Sequence, residues 1–328
     1  MIYPGGVSKL SAALCALSSL NFSRPGPRIC ELLLDRQEIS DSEAESCSEL
    51  MRVSAWLQVL SLKACKISPL GAASVGSALR VCSSLHTLNV AYNGTGVAGL
   101  VSISDALRVN TGLQTLDLSG TNTFGNVVGF SALAEALKVN SSLRDLKINS
   151  MGMISSAAGA CIVDALQINS SLRVLEMDDN DINDDDVELL SAVLRANSGL
   201  ECISIDHNRF GDRGAASLSD VLFVNAKLTS VSLVGNRIGD AGAILLANAL
   251  RVNSCLTCLV LDRNKISNTG AAALGEALCT NSAITSFTIA ENDINAFGFQ
   301  SFHRALRVNS RLAPIRKTRV RKNWEINL

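Results

Sequence analysis

The chain has 328 residues, and its 29 Lys and Arg against 30 Asp and Glu leave a net charge of −1. A balance so near zero carries no global signature of nucleic-acid binding, so nucleic acid is not an expected partner. Hydrophobic residues make up 47% of the chain, yet no uninterrupted apolar run reaches the roughly 18 residues that mark a membrane-spanning helix, and no membrane segment is expected.

Length alone suggests two domains, but a repeat overrides that prior. Eight of the nine 28-to-30-residue blocks between positions 82 and 328 open with Asn, then a polar pair, then Leu or Ile. The openers are Asn110, Asn140, Asn169, Asn197, Asn225, Asn253, Asn281 and Asn309, with Cys82 in the ninth. A fixed period in this range marks a solenoid, in which each unit buries its apolar face only against its neighbours.

In chain order, residues 1–28 come first. Gly6 to Leu20 aligns without a gap on Gly242 to Leu256, so a helical cap or partial repeat is expected there, closed by Pro25 and Pro27. The stretch lacks the basic start of a signal peptide. About ten full repeats follow over 29–311. The repeat from Leu256 to Leu278 shows the plan. Leu259 and Leu261 alternate as in a short strand; Gly270 opens a helix whose Leu274, Ala277 and Leu278 share one face. The middle strand slot holds Leu32, Leu60, Leu88, Leu116, Leu146, Leu175, Ile203, Val231, Leu259 and Phe287. After the strand comes an Asn slot, filled by Asn93, Asn180, Asn208, Asn236, Asn264 and Asn292. A buried amide there is expected to bond the turn backbone of its own and the next repeat. Gln37, Cys65, Thr121 and Met151 interrupt that ladder. Residues 312–328 form a degenerate basic tail, in which Pro314 and Lys317 spoil the strand that Leu312 would open.

The pattern L-x-x-L-x-L-x-x-N-x-I followed by G-A-x-x-L-x-x-A-L, clearest from Leu228 to Leu250 and Leu256 to Leu278, resembles the leucine-rich repeat family, and within it the ribonuclease-inhibitor-like subfamily. The resemblance implies an α/β fold: a single horseshoe-shaped solenoid domain over 1–328, with a parallel sheet on the concave side and helices on the convex side. It is similar as well to the repeat regions of Ran GTPase activators and NOD-like receptors. These supply two alternative functions, a GTPase-activating protein and a ligand-sensing segment. The activators usually end in an acidic tail, whereas this one is basic. A sensor segment would accompany a nucleotide-binding domain that this chain does not contain.

Direct signs of catalysis are missing. The three histidines, His86, His207 and His303, fall near no nucleophile by spacing, and there is no Walker loop, GxGxxG, HExxH or GxSxG. The expectation is a non-enzyme with no cofactor and no metal. Ten scattered cysteines read as thiols of a reducing compartment, hence a cytoplasmic protein. Cys255-x-x-Cys258 has no second pair to complete a zinc site.

The resemblance directs attention to the strand residues facing away from the helices. In the middle of the chain these are acidic: Glu176, Asp178, Asp179 and Asp206, with His207 beside them and Asp262 further on. From Glu176 to Glu188 no Lys or Arg interrupts the carboxylates, and the spacing is not that of a calcium loop. These residues, with Tyr92 as an aromatic contact, are the candidate site for a protein partner with a basic surface. The competing reading is a solvated acidic rim with no partner.

Overall fold

A computed structural model describes residues 29–311 apart from 122, 124, 125, 153–155 and 310. The cap expected over 1–28 and the tail over 312–328 lie outside the described residues. The chain divides into two compact units, residues 1–173 and 174–328.

The first unit carries five three-residue strands: β1 (Glu31–Leu33), β2 (Val59–Ser61), β3 (Thr87–Asn89), β4 (Thr115–Asp117) and β5 (Asp145–Lys147). Between and after them come α1 (Asp41–Val53), α2 (Pro69–Leu79), α3 (Gly96–Leu107), α4 (Val127–Val139) and α5 (Ser156–Ile168). The strands pair in parallel, in chain order, with Leu32, Leu60, Leu88, Leu116 and Leu146 in register. The second unit repeats the plan. Its strands are β6 (Val174–Glu176), β7 (Cys202–Ser204), β8 (Ser230–Ser232), β9 (Cys258–Val260) and β10 (Ser286–Thr288). Its helices are α6 (Asp184–Leu194), α7 (Asp212–Val224), α8 (Asp240–Leu250), α9 (Asn268–Thr280) and α10 (Phe299–Val308). Leu175, Ile203, Val231, Leu259 and Phe287 are in register. The ten predicted strand positions therefore all sit at the centre of a strand. Such short strands cannot stand alone; each is held by the next repeat's strand and by the leucines of its own helix.

The core lies between strands and helices. Leu60, Leu88, Leu116, Leu146, Leu175, Ile203 and Leu259 are fully buried, as are Leu79, Leu107, Leu194, Leu250 and Leu278 on the helices or nearly so. Among the described residues no helix is long and apolar enough to cross a membrane.

Two asparagine ladders tie repeat to repeat. The amide after the strand reaches backward, toward the preceding repeat, and not to the next one as expected. Asn93 Oδ1 accepts from the Cys65 and Ile67 N–H groups at 2.9 and 3.0 Å, while its Nδ2 donates to the Leu62 carbonyl at 2.7 Å. Asn264 donates to the Leu233 carbonyl at 2.8 Å and accepts from the Ile238 N–H at 3.1 Å. The backward reach follows from the parallel offset: the turn leaving one strand lies beside the turn of the repeat before it.

The second ladder explains why the blocks open with Asn. Asn253, just after α8, donates from Nδ2 to the Leu222 carbonyl near the end of α7, the helix one repeat earlier, and its Oδ1 accepts from the Cys255 and Leu256 N–H groups. One side chain thus satisfies an orphan carbonyl of one helix and steers the chain into the next strand. Asn110, Asn140, Asn169, Asn225 and Asn281 do the same.

Where the first ladder is interrupted, weaker contacts take its place: Thr121 Oγ1 lies 3.2 Å from Met151 Sδ. A hydroxyl on a thioether replaces an amide that makes several bonds, so backbone amides of β4 and β5 are expected to exchange hydrogen faster than those of β7 to β9. Equal protection of the two sets would show that the interruptions carry no cost.

Candidate functional site

Three of the predicted site residues, Asp178, Asp206 and Asp262, are side chains that tie one repeat to the next. Glu176, Asp206 and Asp262 are only 5%, 4% and 6% exposed, and Asp178 is half-buried. Facing away from the helices therefore does not leave these four side chains free in solvent. They do lie on the face of the strands opposite the leucines, but the three aspartates fold against the backbone of the next repeat. Asp178 Oδ1 accepts from the Ser204 hydroxyl at 2.6 Å and the Asp206 N–H at 2.9 Å. Asp206 Oδ1 accepts from the Ser232 hydroxyl at 2.6 Å and the Val234 N–H at 2.9 Å. In the first unit Asp35 does likewise, with Ser61 at 2.5 Å and the Lys63 N–H at 3.1 Å. Asp262 accepts from the Ala290 N–H at 2.7 Å.

The sequence carries a signature of this device that composition conceals. Each of these aspartates has Ser or Thr 26 residues later: Ser61, Ser204, Ser232 and Thr288. Where the slot holds Lys63, Ala91, Ser119, Asn149 or Val234, the corresponding residue of the next strand, 26 to 28 positions on, is Asn89, Asp117, Lys147, Glu176 or Val260 respectively. Two repeats then meet the same need internally, since Asn89 Oδ1 accepts from the Ala91 N–H and Asp117 Oδ1 from the Ser119 N–H. Both arrangements satisfy a backbone donor at the strand exit that water cannot easily reach.

Asp262 bears a cost. Burial pushes its carboxyl above the usual carboxylate range, against the opposing effects of the Thr288 hydroxyl and the Ala290 N–H, with the charges of Glu291 and Asp206 adding to the rise. A carboxyl whose folded pKa is raised loses stability for the protein as pH rises from the unfolded value, about 3.9, through the folded one. Asp262→Asn keeps an oxygen for Ala290 and removes the charge. It is expected to match or exceed the wild type in stability at neutral pH, with the advantage shrinking in acid. Denaturant unfolding at several pH values checks this, and a loss at neutral pH would show that the carboxylate itself is needed.

The rest of the acidic run is also engaged. Asp184 Oδ1 accepts from the N–H groups of Gly211 and Gly214, at 2.8 and 2.7 Å, at the entrance of the next helix. Asp212 does this for Gly239 and Gly242, and Asp240 for Ser267 and Gly270. The repeated glycine has its explanation here: a Cβ on Gly270 would stand 2.7 Å from Asp240 Oδ1 and 2.9 Å from the Ala243 methyl. Asp181 pairs with Arg209 at 2.7 Å and Asp185 with Arg213, while Asp186 closes a capping box on Asn183. Each carboxylate at a helix start also meets the positive end of the helix dipole.

Asp240 shows the opposite titration to Asp262. Burial opposes its charge most strongly, but the Ser267 hydroxyl and the N–H groups of Gly270 and Ser267 together hold the carboxyl below the usual range. Its stabilisation is present above the unfolded pKa and is lost as pH falls through the folded one. Asp240→Ala is expected to cost about 1–3 kcal/mol at neutral pH and progressively less in acid; a cost that does not change with pH would refute the assignment to the carboxylate.

What does project is one residue per repeat at the strand exit. Arg36, Ala64, Tyr92, Ser150, Asp179, His207, Arg263 and Glu291 all have φ between 51 and 62°, and Gly120 and Gly235 fill the same slot with φ of 64 and 67°. Asp179, His207, Arg263 and Glu291 are exposed in the second unit, with Gly235 between His207 and Arg263, while Tyr92, 50% exposed, has this position in the first. Three predicted site residues, Asp179, His207 and Tyr92, thus share a slot, and Arg263 and Glu291, outside the predicted site, join it as a two-bonded ion pair at 2.7 and 3.1 Å. The Tyr92 and His207 rings lie against the glycine of the next repeat's slot: a Cβ on Gly120 would be 2.6 Å from Tyr92 Cδ1, and one on Gly235 would be 2.4 Å from His207 Nδ1. Lys63 Nζ stands 5.4 Å from the Tyr92 ring centroid, a cation–π approach.

Among the described residues no cluster of His, Cys, Asp and Glu could hold a metal ion. Cys255 and Cys258 are free thiols. Burial, aided by Cys65 and Glu43, pushes the Cys47 thiol up to about 12, which leaves it unreactive.

Residues 169–191, 196–219, 224–247 and 252–275 each match the family model of the leucine-rich repeat. The chain carries leucine-rich repeats, and its fold is that of a leucine-rich repeat solenoid. The leucine-rich repeat-containing protein LegL7 from Legionella pneumophila superposes with a TM-score of 0.54 at 15% identity, over 93% of this chain and 96% of that one. An internalin from Listeria monocytogenes gives 0.47 at 15%, over 94% of each chain. The tropomodulin C-terminal domain of Caenorhabditis elegans gives 0.40 at 18%, over 49% of this chain and 92% of that one. At these identities the likeness concerns the fold alone. No curated protein matches the chain.

Proposed function

We propose that this chain is a non-enzymatic scaffold of the ribonuclease-inhibitor-like kind, acting in the cytoplasm, that binds a protein partner with a basic surface along the strand-exit row. The observation that carries the reading is conformational. The slot demands a left-handed backbone, which glycine adopts without penalty and other L-residues at roughly 1–2 kcal/mol. Gly120 and Gly235 show that glycine satisfies the fold there. Tyr92, Asp179, His207, Arg263 and Glu291 bear the cost instead, and strain of this sort gathers where side chains must be presented. Solenoids use such rows as extended contact surfaces.

Asp179 and His207 are the direct contacts in this proposal, with Tyr92 as an aromatic contact in the first unit. Glu176, Asp178, Asp206 and Asp262 lie recessed and contribute their field, which steers a basic partner at low salt. The test is a pull-down that identifies the partner, followed by association kinetics with Asp179→Asn/His207→Ala. Neither residue is in the stacking ladders, so stability should hold while association slows and its salt dependence flattens. Association at the wild-type rate in low salt would remove the row as a binding site.

A further inference from the structure

In the first unit, the edge where each helix ends and the chain turns toward the next strand is apolar and basic at once. Val53, Val81, Val109, Val139 and Ile168 each stand just before an opener slot, and all are 45–67% exposed. The residue before each is Arg52, Arg80, Arg108, Lys138 or Gln167. Residues 52–58, 80–86, 108–114, 138–144 and 167–173 make up this edge. They add Arg144, Arg173 and the exposed Trp56, and they contain no Asp or Glu. The edge lies at the strand entrances, at the other end of each strand from the strand-exit row.

The openers set these turns in a row. Asn110 Nδ2 donates to the carbonyls of Leu79 and Cys82 at 2.8 and 2.7 Å, and its Oδ1 accepts from the Gly112 and Leu113 N–H groups at 3.0 and 2.8 Å. Asn140 and Asn169 clamp the turn before them in the same way. The aliphatic side chain one position earlier therefore recurs at the same place in each repeat. The main-chain groups of the turns are answered by buried amides, so an approaching surface of low dielectric strands few of them.

The fold explains the cations but not the aliphatics. Arg and Lys at helix C-termini answer the helix dipole. The core is filled two residues earlier, by Met51, Leu79, Leu107, Leu137 and Leu166, all buried. Carboxylates begin one turn back, at Glu49, Asp105, Glu135 and Asp164, where Glu49 pairs with Arg52 and Glu135 with Lys138. The cations are thus the outermost charges, about 5 Å further along the helix axis than the nearest acid.

We propose that this edge adsorbs on a membrane surface of anionic lipid. The valines and Ile168 enter the headgroup boundary, Trp56 lies at its level, and the cations meet the lipid anions. Adsorption of this kind needs apolar side chains and Arg or Lys on one face, and no spanning helix. The uniformity of the edge favours lipid over protein. A folded partner is read through hydrogen bonds at particular positions, whereas a bilayer surface reads only apolar area and charge. Here the same pair of letters, cation then aliphatic, is repeated with little else between.

The full chain is floated with vesicles of phosphatidylcholine alone, and of phosphatidylcholine with about a third phosphatidylserine, at low and high salt. Binding is expected to the anionic vesicles only, and to weaken with salt. Arg80→Gln/Arg108→Gln should lower the partition about 25-fold, about fivefold for each cation. Val81→Ser/Val109→Ser/Val139→Ser should lower it about tenfold. Asp179→Asn/His207→Ala, on the strand-exit row, should leave it unchanged. Binding that survives the arginine variant overturns the proposal, because the basic tail would then carry it. Binding that survives the serine variant overturns the apolar insertion. No binding to anionic vesicles overturns it as well; retention on immobilised polyglutamate, lost in the arginine variant, would then assign the edge to an acidic protein. If the serine variant fails to fold, Val109→Ser alone is read on the same vesicles, with about a twofold loss expected and an unchanged partition overturning.

Discussion

Leu261→Ala is expected to lower stability by about 2–5 kcal/mol. Leu261 is fully buried in the inward slot shared with Leu233, which is also fully buried, and with Ile289, nearly so. Truncation removes its transfer energy and leaves a space that the surroundings cannot close. Its own N–H is fixed to the Thr288 carbonyl at 2.9 Å, and its carbonyl accepts from Asn264 at 3.1 Å and Asn292 at 2.8 Å. The strands on either side are held by the same bonds, so collapse into the cavity would break ladder contacts in two repeats. Urea unfolding followed in the second unit measures the loss. A change within about 0.5 kcal/mol, the size of a surface substitution, would mean that the slot does not face the core.

Asn264→Ala should cost about 1–3 kcal/mol. The carbonyls it serves keep other donors: Leu233 retains Asn236, Leu261 retains Asn292, and Asp262 retains the Gly235 N–H. The group left stranded is the Ile238 N–H, which has Asn264 Oδ1 as its acceptor. The penalty is therefore that of one buried donor plus the lost amide contacts. Asn264→Asp should be no better, because it restores the acceptor but turns an oxygen toward the carbonyls of Leu233, Leu261 and Asp262. Unfolding of both variants, with exchange of the Ile238 amide, checks the account. A stable Asp variant would show that the donors of Asn264 are dispensable.

Much of this molecule was legible in its sequence. The Asn openers, the Leu of each strand and the Leu-Ala-Leu of each helix gave ten strands and their register. Every repeat solves the same local problem with the same residues, and a period of 28 fixes which residue meets which. Asn264 was readable as a ladder residue, but the direction of its bonds was not, because that depends on how one turn lies beside another.

The acidic segment marks the limit more sharply. Asp178, Asp184 and Asp206 have the spelling of a charged binding patch, and composition cannot separate that from a stacking device. The discriminating letters stand in the next repeat, Ser at Ser204 and Ser232 and glycine at Gly214, and they acquire meaning only once the parallel offset is known. The strand-exit row was half visible: Asp179, His207 and Tyr92 were singled out for their chemistry, while the left-handed backbone that unites them with Arg263 and Glu291 was not. By itself the sequence determined the repeat, its elements and its core, since these follow from local hydrophobic spacing. Tertiary structure decided which carboxylates meet solvent and which meet a neighbouring N–H, because burial of a polar side chain is set by what stacks against it one repeat away.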